Sequence, residues 1–433
     1  RIGLGDRGRL ERTGMKGTIN RYRHPGRLGL AAILSALVVV CFAVPASAWM
    51  DLDDDPIAEL GYNPSGAFII DGSFVMNVGE VQINITNWGL IGSRPGRPSP
   101  YSDAPSCQWP AGRGNEYLWA SNLWVGGVVL GERLVSAGSE FLPLDEIDAT
   151  IYEAVGTKLL RPEGNVDAGG RRRPMPSPDD DEDGRVDEEI LNGKNDDAIW
   201  EGEATGDLLI DEDFGQIGNQ MFVLTNYDNT RLAVESFPDH TPMNLETVQR
   251  SYQWENDQVD DFVGFEFTIT NVGVTDIDRV YIGFFSDADI GPRDGDGVAE
   301  DDMAGSFVGL VQASDGSFVP VEVGYMYDAA ETGRLEGYFG IVFLGHDIDP
   351  TGRRAPPRVG LRTFQSFSGN QAFEQGGDPS NDDERYQLLS APTDEWDNDT
   401  LPGKQADFRF LVSAGPFEKL GPDESLDFQC AIV

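Results

Sequence analysis

The chain has 433 residues, with 74 acidic against 32 basic side chains and a net charge of −42. That length exceeds one ordinary core and predicts two domains. So large a negative charge excludes nucleic acid and anionic membrane surfaces as natural partners and favours divalent cations.

In chain order, residues 1–14 read as sequence upstream of a start at Met15. Residues 15–48 have the layout of a secretory signal peptide. A basic stretch with Lys16, Arg21, Arg23 and Arg27 precedes the apolar run Leu28–Val44, and Ala46-Ser47-Ala48 supplies the small-residue cleavage motif. A membrane anchor is the alternative, but a run of 17 residues is marginal for a span. The protein is therefore expected to be secreted or displayed at the cell surface, with no membrane span left after cleavage. Removing residues 1–48 takes away 8 of the 32 basic and 2 of the 74 acidic residues, which leaves a net charge near −48. Cys107 and Cys430 remain. Two cysteines define no disulfide framework, so their pairing stays open.

The rest reads as β structure, with short alternating runs closed by Gly, Asn and Asp turns. An N-terminal β region, 49–160, holds Val81–Gly89 and Leu118–Val129. An acidic insertion rich in Gly and Pro follows over 161–215. The second β region, 216–433, holds Met221–Thr225, Phe262–Gly273, Arg279–Phe285, Gly337–Leu344 and Asp407–Ser413. Val81–Gly89 and Phe262–Gly273 both carry Ile-Thr-Asn-x-Gly, whose Asn and Gly are turn formers. The two DGSF stretches at Asp71 and Asp315 read as hairpin turns. Arg353–Asn398 is polar, with few apolar runs. No amphipathic helix longer than about three turns is evident. The fold class predicted is all-β: antiparallel β-sandwich regions of Ig-like or jelly-roll type, joined by the acidic insertion. The chain stops inside an apparent strand, LDFQCAIV, as a C-terminally truncated fragment would.

Three carboxylate clusters stand out. In PDDDEDGRVDEEILNG (Pro178–Gly193), Asp179, Asp181, Asp183, Gly184 and Asp187 spell D-x-D-x-D-G-x-x-D, with Glu189 close behind. Alternate carboxylates can surround one hard cation, and the Gly permits the sharp turn. An EF-hand would need Glu at the twelfth position, where Ile190 stands. The loop looks more like the short aspartate-rich loops of thrombospondin type 3 or dockerin-like repeats. Asp183–Ile190 recurs 24 residues later as Asp207–Phe214, which repeats Asp207, Asp211 and Asp213 beside an apolar anchor. In the third cluster, Asp287 and Asp289 directly follow a predicted strand, and Asp294, Asp296, Asp301 and Asp302 lie on the loop after it.

Calcium is the expected ion. The exported chain offers only His240, His346 and two isolated cysteines as nitrogen and sulphur ligands, whereas hard oxygens abound. The competing reading is that the acidic segments are solvated spacers that hold no specific ion.

No G-x-S-x-G, H-E-x-x-H or Cys/His pairing marks a nucleophilic enzyme. His346, in GHDID, reads as a surface-loop residue. Trp119, Trp124, Trp254 and Trp396 can stack on sugars, but their strand patterns favour packing. A structural or adhesive role is the leading expectation, with cell-surface components, matrix components or glycans as partners. A secreted polysaccharide-binding module or hydrolase is the alternative. Buried tryptophans with carboxylates on loops favour the first, and an exposed aromatic platform beside an acidic cleft favours the second.

Several stretches together resemble a family of large, mostly uncharacterised secreted bacterial proteins that often end in a type IX secretion sorting domain or a related Ig-like module. They are ITNWGLIG (Ile85–Gly92), PSCQWPAG (Pro105–Gly112), EYLWASNLWVGGVV (Glu116–Val129), GRVDEEILNG (Gly184–Gly193) and LLIDEDFGQIGNQMF (Leu208–Phe222). Further along come DDFVGFEFTITNVG (Asp260–Gly273), VYIGFFSDADIG (Val280–Gly291), DDMAGSF (Asp301–Phe307) and LVSAGPFEKLGPDESL (Leu411–Leu426). The resemblance implies a secreted or surface β-sandwich with acidic loops and carries no established activity. In similar proteins the two acidic segments usually sit in fuller D-x-D-G-D-G-x-I-D-E-D loops, whereas the second segment of this chain has GDLLIDED.

Overall fold

The computed structural model describes residues 73–93, 104–144, 151–155, 161–162, 218–292, 298–312, 316–330, 335–369, 371–391 and 406–433. All of them lie in one compact unit, Pro45–Val433. The signal-peptide segment and nearly all of 161–215 fall outside the described residues.

In chain order the strands are β1 (Ser73–Met76), β2 (Gln82–Thr86), β3 (Cys107–Gln108), β4 (Asn115–Glu116), β5 (Ala120–Val129) and β6 (Glu132–Ala137). Then come β7 (Tyr152–Val155), β8 (Arg161–Pro162), β9 (Gln220–Tyr227), β10 (Leu245–Gln253), β11 (Val263–Asn271) and β12 (Ile277–Asp287). The last seven are β13 (Gly291–Pro292), β14 (Asp302–Gln312), β15 (Phe318–Asp328), β16 (Phe339–His346), β17 (Thr363–Ser368), β18 (Phe408–Leu420) and β19 (Ser425–Ile432). Two short α-helices, α1 (Arg231–Ser236) and α2 (Asp382–Ser390), complete the described regular structure together with two single 3₁₀ turns.

The chain is an antiparallel β-sandwich. One layer is the nine-stranded sheet β14-β15-β16-β19-β11-β10-β9-β7-β8. The other is built from two five-stranded sheets, β17-β18-β12-β5-β6 and β1-β2-β3-β4-β13, which meet through the isolated bridge Ile91–Ser121. Strands from both sides of the acidic insertion share sheets, since β5 pairs with β12 and β7 with β9.

The core lies between the layers and follows strand alternation. On β11, Phe265, Phe267 and Ile269 point inward, while Glu266, Thr268 and Thr270 stay partly exposed. Phe265 and Phe267 meet Phe284 of the opposite layer at ring-centroid distances of 6.0 and 5.9 Å. Phe74 meets Phe222 at 5.3 Å, and Phe339 meets Phe410 at 6.3 Å. The central strands β5, β12 and β18 are buried on both faces. Phe284 and Val412 face the main core, while Trp124, Phe285 and Leu411 form a second cluster under α2, with Tyr386 and Leu389. The helix sits low on this sheet because two strand positions lack a side chain. A Cβ on Gly126 or Gly283 would lie 2.7 or 2.6 Å from a methyl of Leu389.

Three features differ from what the sequence predicts. The polar stretch 353–398 contains β17 and α2, whose Asn381 caps the helix by accepting from the Glu384 amide at 3.0 Å. β10 escapes the hydrophobic pattern because its inward residues are Leu245, Thr247, Gln249, Ser251 and Gln253. Gln253 has work there, since it donates to the Val81 carbonyl and accepts from the Val78 amide, and Gln220 of the neighbouring β9 accepts from the Asn77 amide. His346 is not on a surface loop. It is 7% exposed and packs against the rings of Phe343 and Phe417 at 5.6 and 5.5 Å. The DGSF stretch at Asp315 does fall between paired strands, with Gln312 facing Phe318 and Gly316 at φ +85°. Cys107 and Cys430 are separate buried free thiols. Among the described residues, no helix is long and apolar enough to cross a membrane.

Candidate metal centre

The centre forms where β12 ends. The strand stays buried on both faces up to Asp287, so this carboxylate is held by sheet rather than by loop. Asp287 faces Ala120 of β5 on one side and Arg409 of β18 on the other. Its carbonyl accepts from the Trp119 amide at 2.8 Å, and the preceding Ser286 hydroxyl bonds that of Ser121 at 2.8 Å. Asp289 lies two residues on. Asp407 arrives from the start of β18, and carboxylate oxygens of Asp287, Asp289 and Asp407 lie within 4.8 Å of one another.

One cation of the chain is already present. Arg409 Nε donates to Asp287 Oδ2 at 3.0 Å. Its Nη1 lies 3.3 Å from Asp407 Oδ1 and 3.7 Å from Asp378 Oδ2. Burial disfavours the charged guanidinium, but the surrounding Asp287, Asp378, Asp407 and Asp289 raise its pKa overall. Gly369 leaves room for it, since a Cβ there would fall 1.7 Å from Nη1.

Among the described residues one guanidinium faces four carboxylates, which it cannot neutralise alone, and a fifth stands close. Asp302 opens β14 in the other layer and is 0% exposed. Its Oδ2 accepts from the Ile290 amide at 3.0 Å, and its Oδ1 is buried without a hydrogen-bond partner. Burial pushes the Asp302 carboxyl up to about 9, with Asp289, Asp301 and Asp328 adding repulsion against the Ile290 hydrogen bond. Burial also pushes Asp289 up to about 8, with Asp287 and Asp407 adding to the shift. A metal-free centre thus holds protons that ordinary aspartates release.

The oxygens offered are all hard, and no His or Cys belongs to the group. That set suits calcium or magnesium rather than zinc or copper. Asp289 also lines a small, partly open pocket beside Ser93, Ser106, Glu116, Trp119 and Val298.

Of the residues singled out in the sequence, Asp287 and Asp289 come together, with Asp302 alongside. Asp301 is half-buried and lies outside the triad; burial, then Asp328 and Glu300, raises its pKa. Asp179, Asp181, Asp183, Asp187, Glu189, Asp207, Asp211, Asp213, Asp294 and Asp296 lie outside the described residues. Sequence reasoning missed Asp407, Asp378 and Arg409. One signal was available: in ADFRFLVS a lone arginine interrupts an apolar strand, and a buried arginine needs acidic partners.

Trp124 is fully buried and stacks on Phe285 at 5.5 Å. Trp119 and Trp254 are half-buried, and Trp396 lies outside the described residues. No protein-family model matches the chain, and no characterised protein shows significant similarity to it.

Proposed function

We propose that this chain is a secreted or cell-surface β-sandwich with a structural or adhesive role, stabilised by calcium. The cation is held by Asp287, Asp289 and Asp407. The observation that carries this reading is that, among the described residues, the buried carboxylates at the end of β12 outnumber the one guanidinium paired with them. A divalent cation offsets that excess where protons would otherwise be needed. Export rests on the signal-peptide pattern, and the family resemblance points the same way. Calcium outside cells fills weak sites, with dissociation constants on the order of 10⁻⁴–10⁻³ M.

Calorimetric titration with calcium, with magnesium as control, tests the reading. Saturable calcium binding is expected. The bound ion should raise stability by about 2.7 kcal/mol at a hundredfold excess over its dissociation constant. Asp287→Asn with Asp289→Asn should remove the part due to this centre. An absent response, or one that magnesium matches, would leave the acidic residues as solvated spacers.

A second reading, glycan binding, has one observation in its favour. On the outer face of the nine-stranded sheet, Phe307, Tyr325, Tyr327 and Tyr338 form a ring cluster with neighbouring centroids 5.4–6.2 Å apart. Phe307 and Tyr338 are more than half exposed, at 52% and 59%. Such a surface suits the flat faces of sugars. Co-sedimentation with insoluble polysaccharides, lost on Tyr325→Ala with Tyr338→Ala, would support it, and no retention would dismiss it.

A further inference from the structure

Asp302 is the residue the triad does not account for. It belongs to the nine-stranded sheet, whereas Asp287 and Arg409 belong to the opposite layer. Its backbone and side chain reach both neighbours of the triad. Oδ2 accepts from the amide of Ile290, next to Asp289, and its carbonyl lies 3.4 Å from the amide of Ala406, next to Asp407. Across β15 it faces Asp328, whose oxygens already accept from the Ala330 and Leu335 amides. Asp302 Oδ1 has no such donor although the residue is 0% exposed. A buried carboxylate oxygen left without a donor is costly, so natural interiors pair such atoms with a proton donor or an ion.

We infer that the cation held by Asp287, Asp289 and Asp407 takes Asp302 as a further ligand, and so clasps the two layers of the sandwich together. This rests on the cation reading above and adds a role to it. The ion is a cross-link between sheets rather than a cap on one strand end. Calcium accepts six to eight oxygens in adaptable geometry, which suits ligands drawn from three separate chain stretches. In the clasped state β14 cannot separate from β12 and β18 at this end without breaking a coordinate bond.

The test uses terbium, a luminescent calcium substitute, on the full chain, and takes as this centre's signal the part lost in Asp289→Asn. With Asp302→Asn, terbium affinity at the centre should weaken roughly tenfold or more, because one ligand charge is gone. In Asp302→Ala, which removes the ligand oxygen altogether, emission lifetimes in light and heavy water should show extra coordinated water in the vacated position. A second measurement needs no variant. Calcium should slow amide exchange at Met303–Ser306 together with Ala288–Ile290. Unchanged affinity in Asp302→Asn with unchanged hydration in Asp302→Ala, or calcium protection confined to Ala288–Ile290, would overturn the clasp while leaving the triad as a cation site. A wild-type chain without any Asp289-dependent terbium signal would overturn the cation reading itself, and the clasp with it.

Discussion

Two buried carboxylates in this sandwich, Asp228 and Asp302, are both 0% exposed and differ in their donors. Asp228 follows β9 and is saturated. Its Oδ2 accepts from the Ser136 hydroxyl at 2.7 Å and the Met243 amide at 2.8 Å, and its Oδ1 from the Leu245 amide at 2.7 Å. His240 Nε2 lies 3.0 Å from its backbone carbonyl, and His240 Nδ1 faces Glu140 at 3.4 Å, which in turn pairs with Arg385 at 3.1 Å. Asp302 has one amide donor and several acidic neighbours. Burial raises the pKa of both, yet the bonds from Leu245, Ser136 and Met243 work against that rise at Asp228. The contrast separates two kinds of buried acid. Asp228 is closed by N–H and O–H donors of its own chain. Asp302 is buried with too few of them, which is the condition a ligand would meet.

The largest effect should come from the saturated site. Asp228→Ala strands a hydroxyl and two amides, each costing about 1–3 kcal/mol. A loss of about 4 kcal/mol or more is expected in urea denaturation, equal with calcium and with chelator. A loss that calcium repairs would erase the distinction between the two sites.

Next comes Arg409→Met, which leaves Asp287, Asp378 and Asp407 without their guanidinium. In chelator it should cost about 3–5 kcal/mol, as removing one partner of a buried ion pair does. Calcium should recover part of the loss, since a second cation then serves the same carboxylates. The counterpart change at Asp228 should show no such recovery.

Gly369→Ala probes the same guanidinium without removing it. The added Cβ forces Arg409 off its three acids, and about 1–3 kcal/mol is expected from such overpacking. Thermal melts of the variant in chelator and in calcium would measure it. A neutral result would show that the guanidinium has room to shift.

The most gradual effect is the response to pH. Asp289 and Asp302 have folded pKa values of about 8 and about 9, above the ordinary 3.8 of an unfolded aspartate. The native state therefore binds more protons than the unfolded state between these limits. Their stabilising contribution is complete below about pH 4 and is lost as pH rises through 8 and 9, by at most about 1.4 kcal/mol per pH unit for each group. Chelated protein should lose stability over that window, and calcium should flatten the loss by holding the carboxylates ionised. A calcium-independent slope would mean that the ion does not sit among these groups.

The fold was legible where local chemistry repeats along the chain. β2, β5, β9, β11, β12, β16 and β18 all lie where short apolar alternation ends in Asn, Asp or Gly. At Asn271 the predicted turn chemistry is visible: its Oδ1 accepts from the Gly273 amide at 2.9 Å, and its Nδ2 donates to the Thr275 carbonyl at 2.9 Å. β10 and α2 were illegible for opposite reasons. β10 faces polar side chains inward, and the last of them, Gln253, serves a loop amide and a loop carbonyl. α2 takes its apolar contacts from a sequence too polar to announce a helix, and its fit depends on Gly126 and Gly283 in distant strands.

The candidate centre divides the same way. The acidic excess, the scarcity of nitrogen and sulphur ligands, and the placing of Asp287 and Asp289 at a strand end can all be read along the chain. Those follow from composition and from side-chain order over a few residues. That Asp407, Asp378 and Arg409 close on that strand end, and that Asp302 comes from the opposite layer, emerges only from the folded sheets. Those neighbours depend on the order β17-β18-β12-β5-β6 and on a register that sets Asp287 opposite Arg409. Register between strands far apart in sequence is chosen by which faces the whole sandwich can bury, and no local stretch of the chain contains that information.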